Sequence, residues 1–402
     1  MATTSTSGFS VSGYGPPRGG LWSRLRSRDS VVRRLDWPLM LSALALSGIG
    51  ALLVWSATRG RTDLTGGDPY NFLLRHLLNT GIGVALMVAT VWLGHRTLRG
   101  AVPVLYGISV LLILLVLTPI GATINGAHAW IVIGGGFSIQ PSEFVKITII
   151  LGMAMLLAAR VDAGDLAHPG HGTVAKSLGL AVVPMVIVMM MPDLGSVMVM
   201  VVIVLGVLMA SGAPNRWILG LIGGGIVGAV LVAALGLLDQ YQINRFAAFA
   251  NPALDPTGAG YNTNQARIAI GSGGLLGTGL FKGSQTTGQF VPEQQTDFVF
   301  TVAGEELGFV GGAAILVLLG VVLWRACRIA RETTELYGTI VAAGIIAWFA
   351  FQSFENIGMT LGIMPVAGLP LPFVSYGGSS MFAVWVAIGL LQSIRVQRPI
   401  SA

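Results

Sequence analysis

Uninterrupted apolar runs constrain this chain more than any other feature. "LMLSALALSGIGALLVWSA", residues 39–57, is one of several, each about 18 to 22 residues long. A helix of that length crosses a hydrocarbon core ~30 Å thick. The chain is 53% hydrophobic and only 10% charged, against roughly 25% charged residues in a soluble domain. The pattern predicts an all-α polytopic membrane protein. Ten spans are expected, near 37–57, 75–94, 101–120, 141–159, 176–191, 194–211, 216–238, 298–324, 338–361 and 380–394.

Charge orients these spans. With a cytoplasmic N-terminus, the segments on that side hold sixteen Lys and Arg against six on the other, with Lys146 inside a span. Cytoplasmic loops carry such an excess, so both termini are expected in the cytoplasm. Residues 1–36 are polar and arginine-dense, with no cleavable apolar core following them. They read as a disordered basic tail able to meet anionic membrane lipids, and 396–402 as a short second tail. The single cysteine, Cys327, excludes a disulfide framework and a cysteine metal site. His168 and His171 sit in a Gly/Pro-rich loop without further ligands, and no feature points to nucleic acid.

Three longer segments face the extracytoplasmic side: 121–140, 239–297 and 362–379. Long ordered loops usually carry function, and chemistry is expected there. The 239–297 loop, between spans seven and eight, contains a stretch from Gln265 to Ile270 suited to lying along the membrane surface.

Ionisable residues in or beside spans supply the candidates. Glu143 and Lys146 are three apart in "QPSEFVKITII", so they share a helix face. They form either a structural pair or a cation offered to an anionic substrate, because charge inside a span faces a partner or a cavity. Asp193 in "MMMPDLGSVMV" is expected to cap the next helix. Glu355 in "FQSFENIGM" implies a cavity or a buried polar network. "AIGSGGLLGTGLFKG" lacks the Walker spacing, since Lys282 precedes Gly283. Its amides, with Arg267 and Lys282, could still cradle a diphosphate. In "QFVPEQQTDFVFTVAGEELGF", Asp297 opens span eight. It is either a helix-dipole partner or a general base balanced between burial and nearby cations.

"QPSEFVK", "PDLGS", "YNTNQARIAIGSGGLLGTGLFKGSQ", "FVPEQQTDFVFTVAGEELGF" and "MPVAGLPLPFVSYGGSS" occur in that order. Together they resemble the SEDS family, the RodA/FtsW-type cell-wall polymerases, over residues 37–395. The resemblance implies ten transmembrane helices, polymerisation of lipid II into peptidoglycan outside the cytoplasmic membrane, and a class B penicillin-binding transpeptidase as partner. It places the catalytic aspartate on Asp297 and a motif tryptophan on Trp130. Two positions depart from the family pattern: Gln295 replaces a histidine, and Ala129 replaces the arginine before Trp130, with His128 one place earlier. "GLFKGSQT" and "GLPLPFVSYGGSS" favour the elongation (RodA) branch over the division (FtsW) branch.

The expected chemistry needs one base and several cations. A glycosidase commonly uses two carboxylates. A polyprenyl diphosphate already leaves as a stable anion, so charge stabilisation replaces protonation. Lys146, Arg267 and Lys282 are the expected diphosphate ligands, with Mg²⁺ or Mn²⁺ as candidate counter-ions. Glu143, Gln265, Trp130 and Ser375 complete the expected substrate groove. A flippase or transporter of a lipid-linked precursor is the alternative from another class, using Glu143, Lys146 and Glu355. A scaffold for a partner synthase is a third.

Overall fold

The computed structural model describes residues 31–124, 127–134, 137–191, 193–236, 243, 249 and 258–397. Most of the basic tail, Pro192, Arg245, Asp255 and residues 398–402 lie outside them. The chain divides into two units, Met1–Leu35 and Asp36–Ala402. The described part of the first contains one short helix, Val31–Arg34.

The second unit is a helical membrane bundle. Its longer helices are α1 Trp37–Thr58, α2 Asn71–Leu93, α3 His95–Val116 and α4 Pro141–Asp162. They continue with α5 His171–Met189, α6 Leu194–Ala210, α7 Asn215–Ala234 and α8 Ala259–Ser272. The last three are α9 Val299–Glu332, α10 Leu336–Leu361 and α11 Gly378–Val396. Among the described residues eight of these are long and apolar enough to cross a membrane. The 17-residue α6 and the 20-residue α7 bring the spans to ten, and α8 is an additional loop helix.

Local chemistry sets the helix starts. The Asp36 carboxylate accepts from Leu39 N at 3.1 Å and caps α1. Asp193 caps α6 through Ser196 N at 3.0 Å, as its position in the sequence predicts. It also accepts from the Gln140 amide at 3.2 Å, joining the starts of α4 and α6. Pro141 opens α4, where a missing N–H costs nothing.

The core is lined by tightly paired helices, α11 along α2, α10 along α6 and α4, and α9 along α1. At the end where α1 begins and α11 ends, buried Asp36 accepts from Arg325 at 2.6 Å and from Arg395 at 2.8 Å, joining α1, α9 and α11.

The opposite end differs from an all-helical expectation. Three strands, β1 Gly121–Ile124, β2 Ala127–Gly134 and β3 Phe137–Ile139, form an antiparallel sheet in the order β1-β2-β3. Trp130 pairs with Ala122 and Val132 with Ser138, so the pleat turns Trp130 and Ser138 to one face. Gln140 N donates to the Ser379 hydroxyl at 2.9 Å and fastens the end of the sheet to the start of α11.

α9 is broken near its start. Ala303–Leu307 forms a π-helical turn, and Gly308 follows in the left-handed region at φ 66°. Single π turns often mark functional sites. Here the turn presents two buried carboxylates to the preceding loop. Glu305 accepts from Gln285 N at 2.7 Å, Thr286 N at 2.9 Å and the Thr286 hydroxyl at 2.7 Å. Glu306 accepts from the Ser56 hydroxyl at 2.7 Å, reaching α1. The Gly-rich stretch lies directly on this turn. A Cβ on Gly277 would stand 2.1 Å from the Glu306 carbonyl oxygen, and one on Gly273 would stand 1.9 Å from that of Gly304. Close backbone approach accounts for those glycines.

Candidate active site

The approach to α9 is a tight turn built on Glu293. Its φ of 49° lies in the left-handed region, uncommon for a residue with a side chain. Its carbonyl oxygen accepts from the N–H groups of Thr296 at 3.2 Å, Asp297 at 3.1 Å and Phe298 at 3.3 Å. Its carboxylate accepts from the Thr296 hydroxyl at 3.2 Å and the Gln295 amide at 3.4 Å.

This turn sets Asp297 just before the helix, half-buried. Phe298 occupies the cap position and makes no side-chain cap, so Asp297 does not serve as the cap residue. Two contacts hold the segment. Asn356 of α10 donates to the Asp297 carbonyl at 2.7 Å and to the Leu369 carbonyl at 2.7 Å. Phe298 packs with Ala266 of α8 and with Val291 in a small buried cluster.

Beside the turn is a cavity of about 250 Å³. Its walls come from five places in the sequence: Leu64 before α2, Phe72, Arg75 and Asn79 on α2, Trp130 and Ser138 on the sheet, Glu293, Gln295 and Thr296 on the turn, and Tyr376 to Gly378. Tyr376 N donates to the Gln295 carbonyl at 2.9 Å, closing the ring of segments. Arg75 hydrogen-bonds the Tyr376 hydroxyl, and burial pushes that phenol above its ordinary range against the pull of the guanidinium.

Among the residues expected from sequence, Trp130 lines this cavity and Asp297 directly follows three residues at its wall. The others lie elsewhere. Lys146 has no exposure. Its Nζ donates to Glu143 at 2.7 Å and to Gln352 at 3.2 Å, and stands 4.9 Å from the Trp348 ring centre. Gln352 in turn donates to the Pro370 carbonyl at 2.7 Å. The pair thus braces the 362–377 loop from beneath. Ser375 closes a turn of that loop, its hydroxyl accepting from Leu371 N at 2.8 Å. Gln265 and Arg267 lie on α8, half-buried and exposed respectively, and Lys282 is exposed on the Gly-rich loop. Glu355 is fully buried on α10.

Arg75, Asn79 and Tyr376 were not legible as site residues. Arg75 counted only as a flanking charge, and its partners are about 300 residues away along the chain.

The FtsW/RodA/SpoVE family of cell cycle proteins matches residues 37–399. The chain belongs to this family. It is 40% identical over 363 residues to the stage V sporulation protein E of Bacillus subtilis, covering 89% of this chain and 96% of that one. It is 36% identical to the peptidoglycan glycosyltransferase MrdB of Escherichia coli, covering 90% and 94%. A probable peptidoglycan glycosyltransferase FtsW of Trichlorobacter lovleyi shares 35% identity, covering 89% and 92%.

Solved structures agree. A chain from a peptidoglycan synthase complex that coordinates polymerization and crosslinking superimposes with a TM-score of 0.72 at 31% identity, covering 90% of this chain and 97% of that one. The Thermus thermophilus rod shape determining protein RodA gives 0.63 at 30% identity, covering 90% and 96%. Identity to the stage V sporulation protein E, FtsW and MrdB relatives spans only 35–40%.

In this SEDS chain Gln295, at the histidine position, is buried in the cavity wall and serves Glu293. Among the described residues no three His, Cys, Asp or Glu side chains converge as metal ligands.

Proposed function

We propose that this chain is a peptidoglycan glycosyltransferase of the elongation type. It polymerises lipid II at the outer face of the bacterial cytoplasmic membrane, with both termini in the cytoplasm. The observation carrying this reading is the setting of Asp297. Asp297 stands directly before its helix, its backbone carbonyl held by Asn356 and the preceding residue at the wall of a cavity. That end of the bundle is the one the charge bias places outside.

The Asp297 carboxylate takes the proton of the 4-hydroxyl on the acceptor's N-acetylglucosamine. The freed oxygen forms a bond to the anomeric carbon of the donor's muramoyl sugar, with inversion. The bond from that carbon to the diphosphate oxygen breaks, and its electron pair leaves with undecaprenyl diphosphate. Exposed Arg267 and Lys282 supply positive charge to that anion. Lys146 and Glu143 act beneath the site by bracing the 362–377 loop. Positioning a base and an acceptor is worth orders of magnitude in rate, and Asn356 and the Glu293 turn provide it.

The partner proposed is a class B penicillin-binding transpeptidase. A related chain is known in a complex that coordinates polymerization with crosslinking, which supports this. "GLFKGSQT" and "GLPLPFVSYGGSS" support the elongation branch.

The test is polymerisation of purified lipid II by the full chain, co-purified with a class B partner whose transpeptidase serine is blocked. Glycan chains are expected. A preparation that moves lipid II across vesicle membranes without forming chains would establish a transporter instead. Complementation decides the branch: rescue of division rather than rod shape would reassign it.

A further inference from the structure

The cavity beside Asp297 holds two acceptors with nothing to accept. Gln295 is 5% exposed and Asn79 is 4% exposed, and both line the cavity. Neither Gln295 Oε1 nor Asn79 Oδ1 has a hydrogen-bond partner. The Gln295 amide nitrogen is directed at Glu293 at 3.4 Å, which leaves its oxygen as the open end. Buried carbonyl oxygens are nearly always satisfied, so two on one cavity call for a ligand that donates.

The remaining walls narrow that ligand's class. Arg75 and Glu293 contribute one charge of each sign, so the cavity does not favour an anion. A diphosphate at neutral pH offers acceptor oxygens only and would meet the two amide carbonyls with repulsion. A sugar carries hydroxyl and acetamido N–H groups, which donate. Trp130 adds an aromatic surface with an apolar body and a polar edge, suited to a ring with C–H and O–H faces. About 250 Å³ is below the usual range for drug-sized ligands and suits a single sugar ring.

We propose that this cavity is a saccharide subsite that seats one N-acetylhexosamine ring on Trp130, with its hydroxyl and amide hydrogens donated to Asn79 Oδ1 and Gln295 Oε1. Arg75 and Glu293 complete the ring's hydrogen bonds from opposite sides. The identity of the sugar rests on the polymerase reading; the donor-seeking cavity does not. Gln295 and Asn79 are specificity-determining residues in this scheme, separate from the proton transfer at Asp297.

The experiment is ligand-observed NMR on the full-length protein in detergent, with N,N′-diacetylchitobiose and inorganic pyrophosphate as separate probes. Chitobiose is expected to bind wild type. Asn79→Leu, Gln295→Leu and Trp130→Ala should each weaken it at least tenfold with melting temperatures unchanged. Pyrophosphate should not displace the sugar. The subsite is overturned if chitobiose fails to bind, or if the three variants bind it as wild type does. It is overturned equally if pyrophosphate occupies the cavity and only Arg75→Gln abolishes that. The readout needs no turnover, so loss of the polymerase reading would leave a positive result standing as a saccharide site.

Discussion

Asn356 holds the Asp297 backbone through a 2.7 Å hydrogen bond and uses the same amide to hold Leu369. One buried side chain therefore sets the spacing between the catalytic turn and the 362–377 loop. Asn356→Leu keeps the volume and removes both bonds. A displacement of about 1 Å in a reacting group can cost about 100-fold in rate. Initial rates of lipid II polymerisation should fall by about that factor in a protein that still inserts and purifies. Wild-type rates would show that the tether has no role in positioning the base.

The Glu143–Lys146 pair is predicted to be structural. Removing one partner of a buried pair typically costs about 3–5 kcal/mol, whereas replacing both with neutral side chains is far cheaper. Lys146→Met and Glu143→Gln should each lower the melting temperature in detergent, and the double variant should recover most of the loss. Polymerisation should recover with it. A stable but inactive double variant would mean that Lys146 itself meets the diphosphate.

The spans were legible because membrane crossing is set by apolar length, and the Asp193 cap and the Glu143–Lys146 pair because both depend on near neighbours in sequence. The sheet was not. Two of its strands have only four and three residues, and the sheet is held by pairing across the segment and by Ser379. Nor was the cavity, which joins α2, β2, β3, the Glu293 turn and Tyr376. The left-handed φ at Glu293 is set by tertiary context, because the residue type disfavours it. The Gly-rich stretch looked suited to holding a phosphate, yet Gly273 and Gly277 are small because the π turn of α9 is so near.

That packing is testable. Gly277 combines a φ of 81° with a Cβ position 2.1 Å from a carbonyl oxygen, so Gly277→Ala should force the loop off α9. Glu305→Gln should loosen the same region by weakening three hydrogen bonds to a charged acceptor, each worth about 1.5–3 kcal/mol. Hydrogen exchange over residues 278–288 should accelerate in both variants, with α4 and α10 unchanged. Unaltered protection there would contradict the anchoring role of the π turn.

Asp36 holds Arg325 and Arg395 at the other end of the bundle. Asp36→Asn leaves Arg325, which is 6% exposed, without its counter-charge. It should destabilise the fold by about 3–5 kcal/mol. Arg395→Gln should cost much less, because that side chain is 27% exposed and partly solvated. Thermal denaturation of the two variants should rank them in that order; equal losses would refute the assignment of Asp36 and Arg325 as the buried core of the cluster.

The most direct measurement compares wild type with Asp297→Asn in lipid II polymerisation, both bound to the same transpeptidase-blocked partner. The substitution keeps the size of the side chain and removes its basicity. The account predicts no glycan chains from the variant, with its melting temperature and partner binding retained. Chains of normal length formed at the wild-type rate would contradict it.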